Sequence, residues 1–269
     1  QLAETGWLGI LIPEEYGGEG GTFTDAGVLF EELGRGPVPG PHLSSSVLAA
    51  MTILEGGTLQ QKSDWLPSIA TGQMRVVPAI TEADYGWYEE DVRLVTALDN
   101  GKYRFNGAKS YVYDGQSATH FLLAVRSTDG NDVGLILVAA DAPGVETRGL
   151  HGFAWNLSEV ILSDVIGEEA DLLGGSFRGG WVALERGMAK AAPVLCAFQV
   201  GGCQAVYELS VEYSRTRIQF GTPIGRFQRV QDHVINLVNV LDAARWTAYE
   251  ALWKLDIGRE AADSIHLAK

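Results

Sequence analysis

The chain has 269 residues, 46% hydrophobic and 20% charged, with 33 Gly, 9 Pro and two Cys. This composition excludes a disordered or collagen-like chain and leaves room for one large domain or two to three smaller ones. With 20 Lys+Arg against 34 Asp+Glu the net charge is -14; that argues against a bulk nucleic-acid binder, and any anionic ligand must be held by a local cluster.

Residues 1–76 read as helices and loops. Val28, Leu29 and Phe30 among Asp25, Glu31 and Glu32 predict an amphipathic helix over 24–33. The Gly- and Pro-rich stretch 34–41 breaks it. A second helix is predicted over 44–54 and stopped by Gly56-Gly57. The run Gly17-Gly18-Glu19-Gly20-Gly21 follows no strand and reads as a flexible surface loop. From Val77 short apolar runs are split by turn signals. Asn100-Gly101 marks a hairpin, and 121–125, 135–139 and 160–165 are further strand candidates.

From Gly180 the period becomes helical. Leu184, Met188, Ala191, Leu195 and Phe198 predict one long helix over about 181–217, and Val230 to Leu255 predict a second. Gly201-Gly202 inside the first costs about 1 kcal/mol per Gly against Ala, which predicts close approach of another helix. Cys196 and Cys203, about two turns apart, read as small core residues in a reducing, cytoplasmic setting. No run of about 18 uncharged apolar residues is present, so no membrane span is expected. The chain starts at Gln1, and 261–269 reads as a helix just begun; both natural ends are expected to lie further out. The fold class expected is α+β. An N-terminal α-helical domain (1–76) precedes a central antiparallel β-domain (77–172), then a C-terminal helical bundle, incomplete here (173–269).

The five histidines show no metal-ligand spacing, and no metal site is expected. The most informative segment runs from Arg215 to Gln228 between the two long helices. Arg217 is the strongest anion candidate, because a guanidinium can hold two phosphate oxygens at once. Phe220 either covers a flat ring or plugs the core. A helix end with dipole-matched arginines is the structural alternative.

The pattern R-x-Q-F-G-x-P-I-G-x-F-Q over Arg217–Gln228 resembles the signature of the acyl-CoA dehydrogenase family. In family order, so do Gly9 to Gly18 with Glu31-Glu32-Leu33-Gly34, Ile80-Thr81-Glu82, Tyr103 to Lys109, and Leu172-Leu173-Gly174 after Ser163-Asp164-Val165. The resemblance implies two helical domains flanking a β-domain, a tetramer, FAD, an acyl-CoA substrate, and electrons passed to an electron-transfer flavoprotein. It implies that Arg217, Gln219, Phe220 and Gln228 touch the FAD of a neighbouring subunit. It places Thr81 and Tyr111 at the flavin ring, Tyr113 where a small hydroxyl residue normally bonds the flavin, and Trp87 at the substrate.

The sequence also departs from the family. After T-E the family continues P-x-x-G-S-D; here Trp87 replaces the substrate-facing serine and Tyr88 the aspartate. Aromatic residues at 85, 87, 88, 111 and 113 either shrink the acyl pocket or line it for a ring-containing acyl group. Packing within a β-sheet is the structural alternative for Tyr111 and Tyr113. Abstracting an α-proton needs a carboxylate. Most of the family carries it near the C-terminus, beyond Lys269; a minority carries it at the position of Ala191, which cannot act. Glu185 lies six residues upstream, too far along the helix. Two alternatives to a dehydrogenase follow: a non-catalytic subunit of a heterotetramer, and a flavin monooxygenase on the same fold.

Overall fold

A computed structural model describes residues 2–99, 101–152 and 156–269. In chain order the helices are α1 (Phe23–Arg35), α2 (Ala50–Gly56), α3 (Leu59–Ala70), α4 (Gly180–Thr216), α5 (Gln228–Asp256) and α6 (Ala262–Ala268). The strands are β1 (Val76–Ala79), β2 (Thr96–Asp99), β3 (Lys102–Tyr113), β4 (His120–Arg126), β5 (Val133–Ala139), β6 (Val145–Gly149), β7 (Leu157–Glu168), β8 (Ile218–Gln219) and β9 (Thr222–Pro223). The order is helices, sheets, helices, as the α+β reading requires. The chain divides into two compact units, residues 1–21 with 40–191, and 22–39 with 192–269.

In the first unit two sheets, β1-β4-β5 and β2-β3-β7-β6, enclose the core. Val77, Phe105, Phe121, Leu123, Ile136 and Val160 are buried between them. Pairing is antiparallel except for β1, which runs parallel to β4. Alternating burial along β7 shows why a period of two produced strands here. β2 and β3 pair with Asp99 opposite Lys102, and Gly101 has a φ of 77°; Asn100 itself lies outside the described residues. Helix α3 is capped reciprocally by Thr58 and Gln61. The Gln61 amide also donates to Ala170 O and Leu172 O, tying this helix to the exit from β7. The segment before α2 is wound more loosely than an α-helix, with the Ala50 N–H reaching back to Ser45 O. The glycine run 17–21 is not a free loop: Gly18, Glu19, Gly20 and Gly21 N–H groups all bond back to residues 9–13.

In the second unit α1 docks by its N-terminus. The Asp256 carboxylate accepts Phe23 N–H at 2.6 Å, Thr24 N–H at 3.1 Å and the Thr24 hydroxyl at 2.5 Å. An anion placed there also meets the positive end of the helix dipole. Further along α1, Glu31 accepts Arg245 Nε at 3.0 Å and the Tyr249 hydroxyl at 2.8 Å. Burial, reinforced by that carboxylate, pushes the Tyr249 hydroxyl well above the usual phenol range. Helices α1 and α4 meet through glycine: a methyl on Gly201 would stand 1.8 Å from Glu31 O, and one on Gly34 1.8 Å from Phe198 O. The close approach predicted from Gly201-Gly202 is present.

The two cysteines differ. Cys196 is buried, but Cys203 is exposed. The buried stripe of α4 ends at Gly201, and no later residue before Ser214 is buried. Equal helical phase therefore does not bring equal burial. Helix α4 also holds an 18-residue window of mean hydropathy 1.2, 28% of it buried, long and apolar enough to cross a membrane by length and composition. Sparse charges and small residues raise the average there without a continuous apolar run, and the core helix of a soluble protein passes the same test.

Candidate functional site

In the first unit the site grows from a buried ion pair. Lys109 on β3 has a fully buried side chain; its Nζ donates to Glu82 Oε1 at 2.8 Å and to Ile80 O at 3.0 Å. Burial holds the Lys109 ammonium below its ordinary pKa, and the Glu82 carboxylate opposes that shift. Glu82 Oε1 also accepts the N–H groups of Arg93 at 3.0 Å and Leu94 at 2.9 Å. One carboxylate thus binds both ends of the 82–94 loop to the strand. Beside it, Thr81 and Ser110 exchange two bonds: the Thr81 hydroxyl donates to Ser110 O at 2.5 Å, and Ser110 N–H donates to Thr81 O at 2.9 Å. Thr81 is buried.

The next residue, Tyr111, lies in a bulge. Lys109 pairs with Val160 and Val112 with Ser158, so β3 carries one extra residue, and Tyr111 takes a φ of 58°. Left-handed backbone is costly for a bulky side chain and marks places where the surroundings over-determine the conformation. Tyr85 has a φ of 60° and packs edge-on against Tyr111 at 4.9 Å and against Trp87 at 6.0 Å. Of the residues predicted for this unit, Tyr111 and Trp87 are thus gathered around Tyr85, and Thr81 is bonded to Ser110, the neighbour of Tyr111. Tyr113 stands exposed at the end of β3. It precedes Asp114, whose carboxyl burial pushes up although Asn156 and Ser44 donate to it. The sequence reading missed Lys109, Glu82 and Tyr85 as organisers. A lysine in a strand otherwise rich in inward aromatic and aliphatic residues was the available signal.

In the second unit β8 and β9 form a two-residue hairpin, with Gln219 opposite Thr222. Both turn residues have positive φ, 54° at Phe220 and 80° at Gly221, as a primed hairpin turn demands. Phe220 is 93% exposed, so it does not plug the core; its ring meets Phe227 edge-on at 6.1 Å. Arg215, Arg217, Arg226 and Arg229 are all exposed, and none forms an ion pair among the described residues. In a chain of net charge -14 this is a concentrated positive surface. A shallow concavity of about 530 Å³ beside the turn is lined by Ser214, Arg215, Pro223, Arg226, Gln231 and Ile235 among others. Thr222 Oγ1 is, among the described residues, the buried side-chain polar atom without a partner. Gln219 is exposed, and Gln228 opens α5. Unpaired guanidinium groups, an exposed ring and an unmet hydroxyl fit a ligand that combines phosphate oxygens with a flat heterocycle.

Two models match the chain: the N-terminal domain of acyl-CoA dehydrogenase over residues 1–73 and its C-terminal domain over residues 178–269. A probable acyl-CoA dehydrogenase of Bacillus subtilis is 30% identical over 285 residues, covering all of this chain and 73% of that protein. The chain belongs to the acyl-CoA dehydrogenase family. The family's members are flavoprotein oxidoreductases that act on CH–CH bonds. An acyl-CoA dehydrogenase structure from Geobacillus kaustophilus has the same fold, with a TM-score of 0.91 at 24% identity, over 100% of this chain and 73% of that one. The ChsE4–ChsE5 complex from Mycobacterium tuberculosis matches with a TM-score of 0.85 at 26% identity, over 99% of this chain and 70% of that one.

Within this family the two positions weighed for a base stand as follows. Ala191 is buried and carries no ionisable group. Glu185 is exposed, and its Oε1 accepts the Trp181 indole N–H at 2.9 Å, one turn back on the same helix. That is a bond along one face of the helix.

Proposed function

We propose that the protein is a FAD-dependent acyl-CoA dehydrogenase subunit that introduces an α,β double bond into an acyl-CoA thioester. The observation that carries this reading is Phe220, an aromatic residue held in left-handed backbone at the tip of a hairpin, 93% exposed, in a segment whose arginines form no ion pair among the described residues. A chain keeps so strained and wet a ring where a ligand covers it. FAD, when bound, supplies the acceptor for a hydride leaving the β-carbon. In this reading Arg217 holds the cofactor's phosphate oxygens, Phe220 covers a ring, and the amides of Gln219 and Gln228 supply neutral hydrogen bonds. Thr81, Tyr111 and Tyr113 border the flavin, and Trp87 borders the acyl group. Electrons pass on to an electron-transfer flavoprotein, in a cytoplasmic tetramer.

A visible spectrum of the purified full-length protein tests this, taken before and after acyl-CoA is added without oxygen. A flavin band that bleaches supports the reading; no flavin band after reconstitution overturns it. Ala191 favours a second reading, a non-catalytic subunit in a heteromeric enzyme, and the solved ChsE4–ChsE5 match is itself a complex. Full activity of the protein as a homo-oligomer excludes that second reading.

A further inference from the structure

The aromatic cluster of the first unit carries an inference about the acyl group; it rests on the reading of this site as an acyl-thioester site. Tyr85 is 49% exposed, Trp87 39% and Tyr88 70%. Residues that merely filled an acyl pocket would be buried against one another. Tyr85 instead touches Trp87 and Tyr111 edge to face, at interplanar angles of 87° and 89°, and the exposure of Tyr85 and Trp87 leaves ring surface open to a ligand.

The cluster is held in place before any ligand arrives. Tyr85 N–H donates to Glu82 O at 2.9 Å. Glu82 is fixed by Lys109 and by the N–H groups of Arg93 and Leu94. Tyr88 N–H is capped by the Asp91 carboxylate at 3.0 Å. Rigid aromatic faces bind with little loss of side-chain entropy.

Charge identifies what they bind. The cations around the cluster are committed: Lys109 to Glu82, Arg93 to Asp84 at 2.7 Å, and Arg126 to the carbonyls of Val92, Glu89 and Gly130. Among the described residues, each of these three cations already has a partner. The occupant is therefore neutral and apolar, and broad enough to meet ring faces. We infer that Tyr85, Trp87 and Tyr111 form a platform selecting acyl thioesters whose acyl group carries a ring, aromatic or alicyclic, over short straight chains.

The test is equilibrium binding of 3-phenylpropanoyl-CoA and butanoyl-CoA to the purified full-length protein by titration calorimetry, with no turnover required. The wild type is expected to bind the ring thioester about tenfold more tightly, the upper range for one aromatic pair. Trp87→Ala is expected to remove most of that preference and Trp87→Phe to restore part of it. Equal affinity of the wild type for both thioesters overturns the inference, as does a preference that Trp87→Ala leaves intact. The flavin spectrum is read separately: a ring preference without a flavin band sustains this inference while the catalytic reading fails, and bleaching without a ring preference does the reverse.

Discussion

Two adjacent glycines on α4 should respond to alanine with opposite signs. In an exposed helix interior, Gly→Ala gains about 1 kcal/mol from helix propensity. At Gly202 nothing opposes that gain, since a new methyl would stand 3.6 Å from Gly34 O, an ordinary contact. At Gly201 the methyl would stand 1.8 Å from Glu31 O and 2.9 Å from Arg35 N, both backbone atoms. Helix α1 would have to retreat by roughly 1.5 Å to restore normal contact, against an overpacking cost of about 1–3 kcal/mol. That retreat also stretches the Arg245–Glu31–Tyr249 bonds and the Arg35–Glu208 pair, 2.8 Å apart. Net destabilisation of Gly201→Ala by about 1–2 kcal/mol is expected, against stabilisation of up to about 1 kcal/mol for Gly202→Ala. At roughly 2–4 °C per kcal/mol for a chain of this size, thermal melts separate the two variants by several degrees. If Gly201→Ala melts at or above the wild type, the close approach of α1 to α4 is wrong.

Three other perturbations probe the site. Phe220→Asn gives the hairpin the Asn-Gly pair its turn geometry favours, so the melting temperature should rise, by about 1 kcal/mol of relieved strain, while flavin retained after gel filtration falls. Glu82→Gln strands a buried ammonium and should cost about 3 kcal/mol in denaturant unfolding at neutral pH. Burial already depresses the Lys109 pKa in the folded chain, and the cost is full at neutral pH, where the wild-type carboxylate balances the ammonium. It should shrink as pH rises toward the ordinary lysine value of 10.5, where the unfolded chain also loses its proton; a deficit independent of pH would contradict the buried charge. Arg217→Ala should weaken FAD binding, and the FAD dissociation constant measures it; unchanged affinity would remove Arg217 from the phosphate site.

Much of the fold was legible because long periodic segments signal their own structure. The helix predicted over about 181–217 is α4, Gly180–Thr216, and the second long helix begins and ends within two residues of the periodic run that predicted it. Helix α3 was not singled out: Pro67 lies inside it, and its stability comes from the Thr58–Gln61 cap and from Gln61 reaching residues over a hundred positions away. The parallel β1–β4 pair was equally hidden, because alternation within a strand does not reveal its partner. Of the site, the arginine turn was legible as a charge cluster, which is a local property. Lys109 and Glu82 were not, since a buried ion pair is made by tertiary contact and the sequence shows only two ordinary charged residues 27 positions apart.

Backbone strain separates functional from structural positions in what remains. Among the described residues, five other than glycine have left-handed φ: Tyr85, Tyr111, Asp114, Asp164 and Phe220. The two aspartates are among the residues that adopt this region readily, and each has a local reason. Asp164 N–H donates to Asn106 Oδ1 at 2.9 Å, and Asp114 N–H to Asn156 O at 2.8 Å. The three aromatic residues also sit in a turn, a bulge or beside a local bond, Tyr85 N–H donating to Glu82 O at 2.9 Å, but their residue type does not adopt this region readily. A bulky side chain in this region costs roughly 1–3 kcal/mol, and glycine or asparagine would relieve it. Two of them, Tyr85 and Phe220, are largely exposed, so the core does not repay that cost. Tyr111 and Phe220 are residues that the family resemblance implies at the cofactor, and Tyr85 joins Tyr111 to Trp87. Strain kept at exposed aromatic residues, in a chain where glycine is plentiful, supports the proposed ligand-facing role of Tyr85 and Phe220.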